Sequence, residues 1–95
     1  MPKTLDADTA AAISFKALAF LAADSDRLGR FMALTGIEPG AIRALARERS
    51  FQAAVLEHLL ADETLLLQFC ENEAIHAELP GMALRLLGGT PETDF

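Results

Sequence analysis

Ala10-Ala11-Ala12-Ile13-Ser14-Phe15-Lys16-Ala17-Leu18-Ala19-Phe20-Leu21-Ala22-Ala23 is apolar at every position except Ser14 and Lys16. Alanine and leucine are the strongest helix formers, and the stretch shows no period-two alternation, so it predicts a helix. That helix spans 7–23 and is entered from Asp6 or Asp8, side chains suited to an N-cap. Ile13, Phe15, Leu18, Phe20 and Leu21 cover most of its circumference. A helix apolar nearly all round belongs at the centre of its domain. The stretch is too short to cross a bilayer, and Ser14 and Lys16 break it.

Outward from this helix the punctuation marks five more. Asp24 or Ser25 caps a second, 26–35, which Gly36 stops in the left-handed region. Pro39 stands where a first-turn proline belongs and opens a third, 39–48. Ser50 is placed to cap a fourth, 51–61, whose apolar set is Phe51, Val55, Leu56, Leu59 and Leu60. Asp62 caps a fifth, 63–74, with Leu65, Leu66, Phe69 and Cys70 turned inward. Pro80 or its predecessors open a sixth, which Gly88-Gly89 ends. No segment alternates as a strand would, and tyrosine and tryptophan are absent.

The two halves resemble each other. A shift of 38 residues lays Leu18, Leu21, Ala23, Asp24, Leu28, Phe31 and Ile37 on Leu56, Leu59, Ala61, Asp62, Leu66, Phe69 and Ile75. Three further residues bring Glu38-Pro39-Gly40 onto Glu78-Leu79-Pro80-Gly81. Each unit reads as a hydrophobic helix, an aspartate-capped turn, an amphipathic helix and a proline-opened short helix. Two such units would bury the first and fourth helices against each other. Coincidence among leucine- and alanine-rich helices is the competing explanation.

Ninety-five residues hold one domain, 1–95, with tails at 1–6 and 90–95. The hydrophobic share of 52% excludes global disorder and leaves apolar surface for a self-contact or a partner. The net charge of −6 argues against a polyanionic partner for the molecule as a whole. Its distribution is uneven, at −2 over residues 1–26, +3 over 27–49 and −7 over 50–95. Arg27, Arg30, Arg43, Arg47 and Arg49 make the middle a basic island. Cys70 is the only cysteine, which rules out an internal disulfide and suits a reducing compartment. Asp6 and Asp8 replace the basic start of a signal peptide. A cytoplasmic location follows.

The chemistry-bearing residues find bland explanations. Asp24 and Asp62 read as caps rather than as a catalytic pair. His58 and Asp62 are four apart, but zinc needs at least one more protein ligand and none is suitably spaced. Cys70, Glu73 and His76 form a looser set in which His76 does not share a face with Cys70. No metal or cofactor is expected. Ser14, Ser25 and Ser50 lie in a helix or at caps, with no nucleophile elbow around them. Gly88-Gly89 follows a helix instead of opening one, so it cradles no phosphate. An enzyme has no support here.

One segment competes for a function. Phe31–Leu45 resembles a helix-turn-helix, with Gly36 at the turn, Ile37 after it, and Ile42 and Leu45 anchoring the second helix. That helix would expose Arg43 and Arg47, with Arg49 beyond it, to a phosphate groove. Met32 sits where a small residue is normal, Pro39-Gly40 furnishes the helix start poorly for base contacts, and the acidic end would repel a duplex.

Ala17-Leu18-Ala19-Phe20-Leu21-Ala22-Ala23-Asp24, then Arg27-Leu28-Gly29-Arg30-Phe31 and Leu34-Thr35-Gly36-Ile37, carry a family resemblance. Phe51-Gln52-Ala53-Ala54-Val55-Leu56 and Leu60-Ala61-Asp62-Glu63-Thr64-Leu65-Leu66 extend it. Together they resemble a small alphaproteobacterial family of domains of unknown function, number three-five-seven-two. The similarity covers residues 13–70, and the motifs are specific as a set. It implies a bacterial cytosolic protein standing alone as one short domain, and it implies no activity.

The expectation is therefore an all-α bundle of five to six short helices, with two pseudo-repeated units and a chance likeness of its halves both left open. Its expected role is a non-catalytic interaction or regulatory module that binds a protein partner or a second copy of itself. Nucleic-acid binding through residues 31–49 is the alternative, and no membrane role is expected. Arg27, Arg30, Arg43, Arg47 and Arg49 are the candidate contact residues.

Overall fold

A computed structural model of the chain describes residues 5–88. Helix α1 spans Ala7–Ala22, α2 Ser25–Thr35, α3 Ile42–Leu45, α4 Arg49–Leu60, α5 Glu63–Glu73 and α6 Leu79–Leu86; a 3-10 turn, Pro39–Ala41, precedes α3. There is no strand among the described residues. The expected tails at 1–6 and 90–95 lie outside the described residues, apart from Leu5 and Asp6, and so does Gly89.

Three aspartates start three helices. Asp6 Oδ1 accepts from Thr9 N at 2.8 Å, Asp24 Oδ1 from Asp26 N and Arg27 N at 2.9 and 3.3 Å, and Asp62 Oδ1 from Leu65 N at 3.2 Å. Each bond satisfies an amide that the helix itself cannot, and each cap stabilises by about 1 kcal/mol. The Thr9 hydrogen bonds also hold the Asp6 carboxyl below its usual range.

Two boundaries differ from the sequence reading. Ser50 does not cap α4; it lies in the first turn, and the N-cap position is Glu48, whose side chain makes no capping bond. The backbone explains the shift. Glu48 N turns back to Leu45 O at 2.8 Å, while Glu48 O already accepts from Gln52 N at 3.0 Å, so the helix begins two residues early. The same turn cuts the third helix short. Instead of a helix over 39–48 there is the 3-10 turn and a single α turn, and Ala46 O is taken by Gln52 Nε2 at 3.0 Å.

The apolar stretch that opens the chain's first helix is its centre. Helix α1 packs against α2, α4, α5 and α6, and α6 seats against both α1 and α4. Ala10, Ile13, Ala17, Phe20 and Leu21 are buried on α1, and Phe51, Val55, Leu56 and Leu59 on α4. Burying each of the larger side chains contributes about 1.5–3 kcal/mol. The circumference is not buried all round, because Phe15 remains 44% exposed.

The 38-residue correspondence carries into three dimensions. Leu21 and Leu59 are both fully buried, as are Phe31 and Phe69. Asp24 and Asp62 both cap the second helix of their unit. Gly36 and Ala74, also 38 apart, both end that helix in the left-handed region, at φ 77° and 56°. The two buried polar residues among those described, Ser14 and Gln52, are 38 apart too. Each gives its hydrogen to a backbone carbonyl, Ser14 Oγ to Ala11 O and Gln52 Nε2 to Ala46 O.

Candidate functional site

Helix α2 and the corner between α4 and α5 enclose a groove of about 300 Å³. One wall is Asp26, Arg27, Arg30 and Leu34, one face of α2 at helical spacing. The other is His58 and Ala61 at the end of α4, with Asp62 and Leu65 at the start of α5. Leu34 is 70% exposed, the most open large apolar side chain among the described residues.

Arg27 is committed within the fold. Its guanidinium lies 4.1 Å from the centroid of the Phe20 ring, and Nη1 donates to Phe20 O at 3.4 Å. That carbonyl belongs to the last turn of α1. The amide that would reach it, Asp24 N, bends instead to Leu21 O, so Arg27 satisfies an otherwise unpaired acceptor. Arg30 is exposed and has no carboxylate within 4.0 Å among the described residues.

His58 stands with its ring edge-on to Phe31, centroids 5.2 Å apart. Burial pushes its pKa below the ordinary histidine value; Arg30 acts in the same direction and Asp62 opposes both. The ring is therefore neutral at pH 7. Asp62, four residues on, spends its Oδ1 on Leu65 N.

A second notch answers to the groove. Phe20, Arg27, Gln68, Glu71 and Asn72 line it. Under the 38-residue shift Phe20 corresponds to His58, Arg27 to Leu65, Gln68 to Arg30 and Asn72 to Leu34. Phe20 meets Phe69 edge-on at 5.6 Å, as His58 meets Phe31. The two recesses are sister sites, and in the second the chain's own Arg27 guanidinium lies over the ring.

Of the five arginines read from the sequence, only Arg27 and Arg30 line the groove. Arg43 lies on the single turn of α3, Arg47 in the turn after it, and Arg49 is the first residue of α4; all three are exposed. A helix-turn-helix through 31–49 would have one α turn for recognition. Leu34 was not singled out in the sequence and Leu65 was read only as an inward-facing core residue, although the repeat marks both: their sister residues are the polar Asn72 and Arg27.

Cys70 is buried, which raises its thiol pKa, and its Sγ lies 3.9 Å from His76 O. Glu73 turns to Lys16 Nζ at 3.8 Å rather than to Cys70. Among the described residues, no three histidine, cysteine, aspartate or glutamate side chains are grouped to hold a metal ion. No described helix is long and apolar enough to cross a membrane.

A family profile described as "Protein of unknown function (DUF3572)" matches residues 7–90. Neither the curated proteins nor the solved structures give a match to the chain.

Proposed function

The chain belongs to the DUF3572 family of proteins of unknown function, and we propose that it is a non-catalytic protein–protein interaction module that docks its partner in the α2/α4–α5 groove. The supporting observation is Leu34, 70% exposed on the rim of a recess that also carries arginine, histidine and aspartate. A bare leucine beside a concavity with polar groups around it has the anatomy of an interface anchor. The free, buried Cys70 suits a cytoplasmic setting. The nucleic-acid alternative would have to work through one α turn and three exposed arginines.

Cross-linking capture from the native cell, with wild type compared against Leu34→Asp, tests this reading. A specific partner retained by wild type and lost by the variant is expected. A partner set that the substitution leaves unchanged would remove the groove from the interface.

A further inference from the structure

We propose that the open groove takes the guanidinium of an arginine presented by a partner protein, held as Arg27 is held in the sister notch. The inference rests on the interaction-module reading and names the chemistry of its occupant.

The fold shows what this kind of recess accepts. In the sister notch the guanidinium covers an aromatic ring at 4.1 Å and donates to the carbonyl that the helix end leaves unpaired. The open groove has the same two features. Its ring is His58, the counterpart of Phe20. Its carbonyl is His58 O: Asp62 N, the amide that would reach it, bends to Leu59 O, as Asp24 N bends to Leu21 O. No hydrogen bond reaches His58 O among the described residues. The side chain that would fill the groove from within is Leu65, which has nothing to donate.

The chain's overall charge, rather than the balanced charges of the groove itself, favours the same occupant. Asp26 and Asp62 line the groove, and neither has a cation within 4.0 Å among the described residues. The chain's net charge of −6 draws a cation and repels an acid at longer range. A planar guanidinium can stack on a ring while its N–H groups reach both a carbonyl and a carboxylate, which an ammonium cannot do. Arg27 and Arg30, which line the groove too, are the opposing groups; Arg27 is held over the Phe20 ring, and the position sister to Arg30 holds neutral Gln68. Arg30 therefore weakens and selects what the groove accepts, and its removal separates a cationic occupant from an acidic one.

The test is an amide-shift titration of the full chain, at low salt, with Ac-Leu-Arg-Leu-NH2, Ac-Leu-Gln-Leu-NH2 and Ac-Leu-Glu-Leu-NH2. The arginine peptide should move the amides of Asp26, His58 and Leu65, and the other two should not. Arg30→Gln should tighten its binding about threefold and Asp26→Asn should weaken it about threefold, as befits exposed charges. Both positions are exposed, so the fold survives either change. Preference for the glutamate peptide, weakened by Arg30→Gln, would overturn the guanidinium and leave the docking groove standing. Failure of every peptide to move the groove amides would also overturn it, while partner loss in Leu34→Asp would still be decided by capture.

Discussion

The ring of His58 lies edge-on to Phe31, with centroids 5.2 Å apart and planes at 77°. Its sister pair, Phe20 and Phe69, repeats the arrangement at 5.6 Å and 62°. Each pair joins the first helix of one unit to the second helix of the other. The aromatic contacts therefore lock the two halves together crosswise. One of the four rings can take up a proton.

That ring sets a pH dependence. Burial, then Arg30, lowers the His58 pKa in the folded chain relative to the unfolded one. The unfolded state then binds a proton first as pH falls. Stability is complete above about pH 6.5, the unfolded value, declines below it, and stops declining once the folded state is protonated as well. Urea midpoints between pH 7.5 and 5 should fall for wild type and change less for His58→Phe, which restores the sister residue. Asp6 works in a separate window: its depressed pKa contributes stability that is lost only below about pH 4. Equal slopes for the two proteins above pH 5 would refute the role given to His58.

A second consequence concerns Ala74. It ends α5 at φ 56° and ψ 46°, where Ile75 N reaches back to Cys70 O at 2.9 Å. A Cβ in that region costs roughly 1–2 kcal/mol, and its counterpart Gly36 avoids the cost. Ala74→Gly should stabilise by about 1 kcal/mol, after the loss from a more flexible unfolded chain. Gly36→Ala should destabilise by a similar amount. Nothing lies within 4 Å of a Cβ built at Gly36, so the effect comes from the backbone and not from a clash. Denaturant unfolding of both variants decides it, and Gly36→Ala at wild-type stability would contradict it.

How much of this was legible in the sequence depended on whether a signal was local. Asp24, Asp62, Gly36 and Pro80 mark helix ends through their own chemistry, and four of the six helices fell within a residue or so of their places. The start of α4 was not legible, because Ser50 is a good cap by type. The competing cause is the turn at Glu48, fixed by Leu45 O and by the reach of Gln52 to Ala46 O. The groove was half legible. Arg27 and Arg30 share a helix face, so their spacing brings them together. Their neighbourhood with His58 and Leu65 depends on how α2 crosses the α4–α5 corner, which no local pattern encodes. That Arg27 would be spent on Phe20 was equally hidden.

Arg27 offers a further check on that division of labour. Its guanidinium over the Phe20 ring, together with its bond to Phe20 O, should stabilise the fold by about 1 kcal/mol. Arg27→Leu, which places the sister residue there, should lower the unfolding free energy by that amount. Arg30→Gln, at an exposed position without an ion pair, should change it by less than about 0.5 kcal/mol. Equal effects from the two substitutions would mean that the Phe20 contact carries no weight.

Nucleic-acid binding through 31–49 has its own prediction. A recognition helix needs several turns so that residues on one face can follow a groove, and α3 has four residues. Arg43, Arg47 and Arg49 remain, three cations on a chain of net charge −6. Three phosphate contacts give a shallow salt slope and weak affinity, and the acidic end subtracts from that. A labelled duplex should therefore show no saturable rise in anisotropy at about 50 mM salt, up to protein concentrations near 10 µM. A rise that falls steeply with salt and vanishes in Arg43→Glu/Arg47→Glu would make those arginines, not the groove, the working surface.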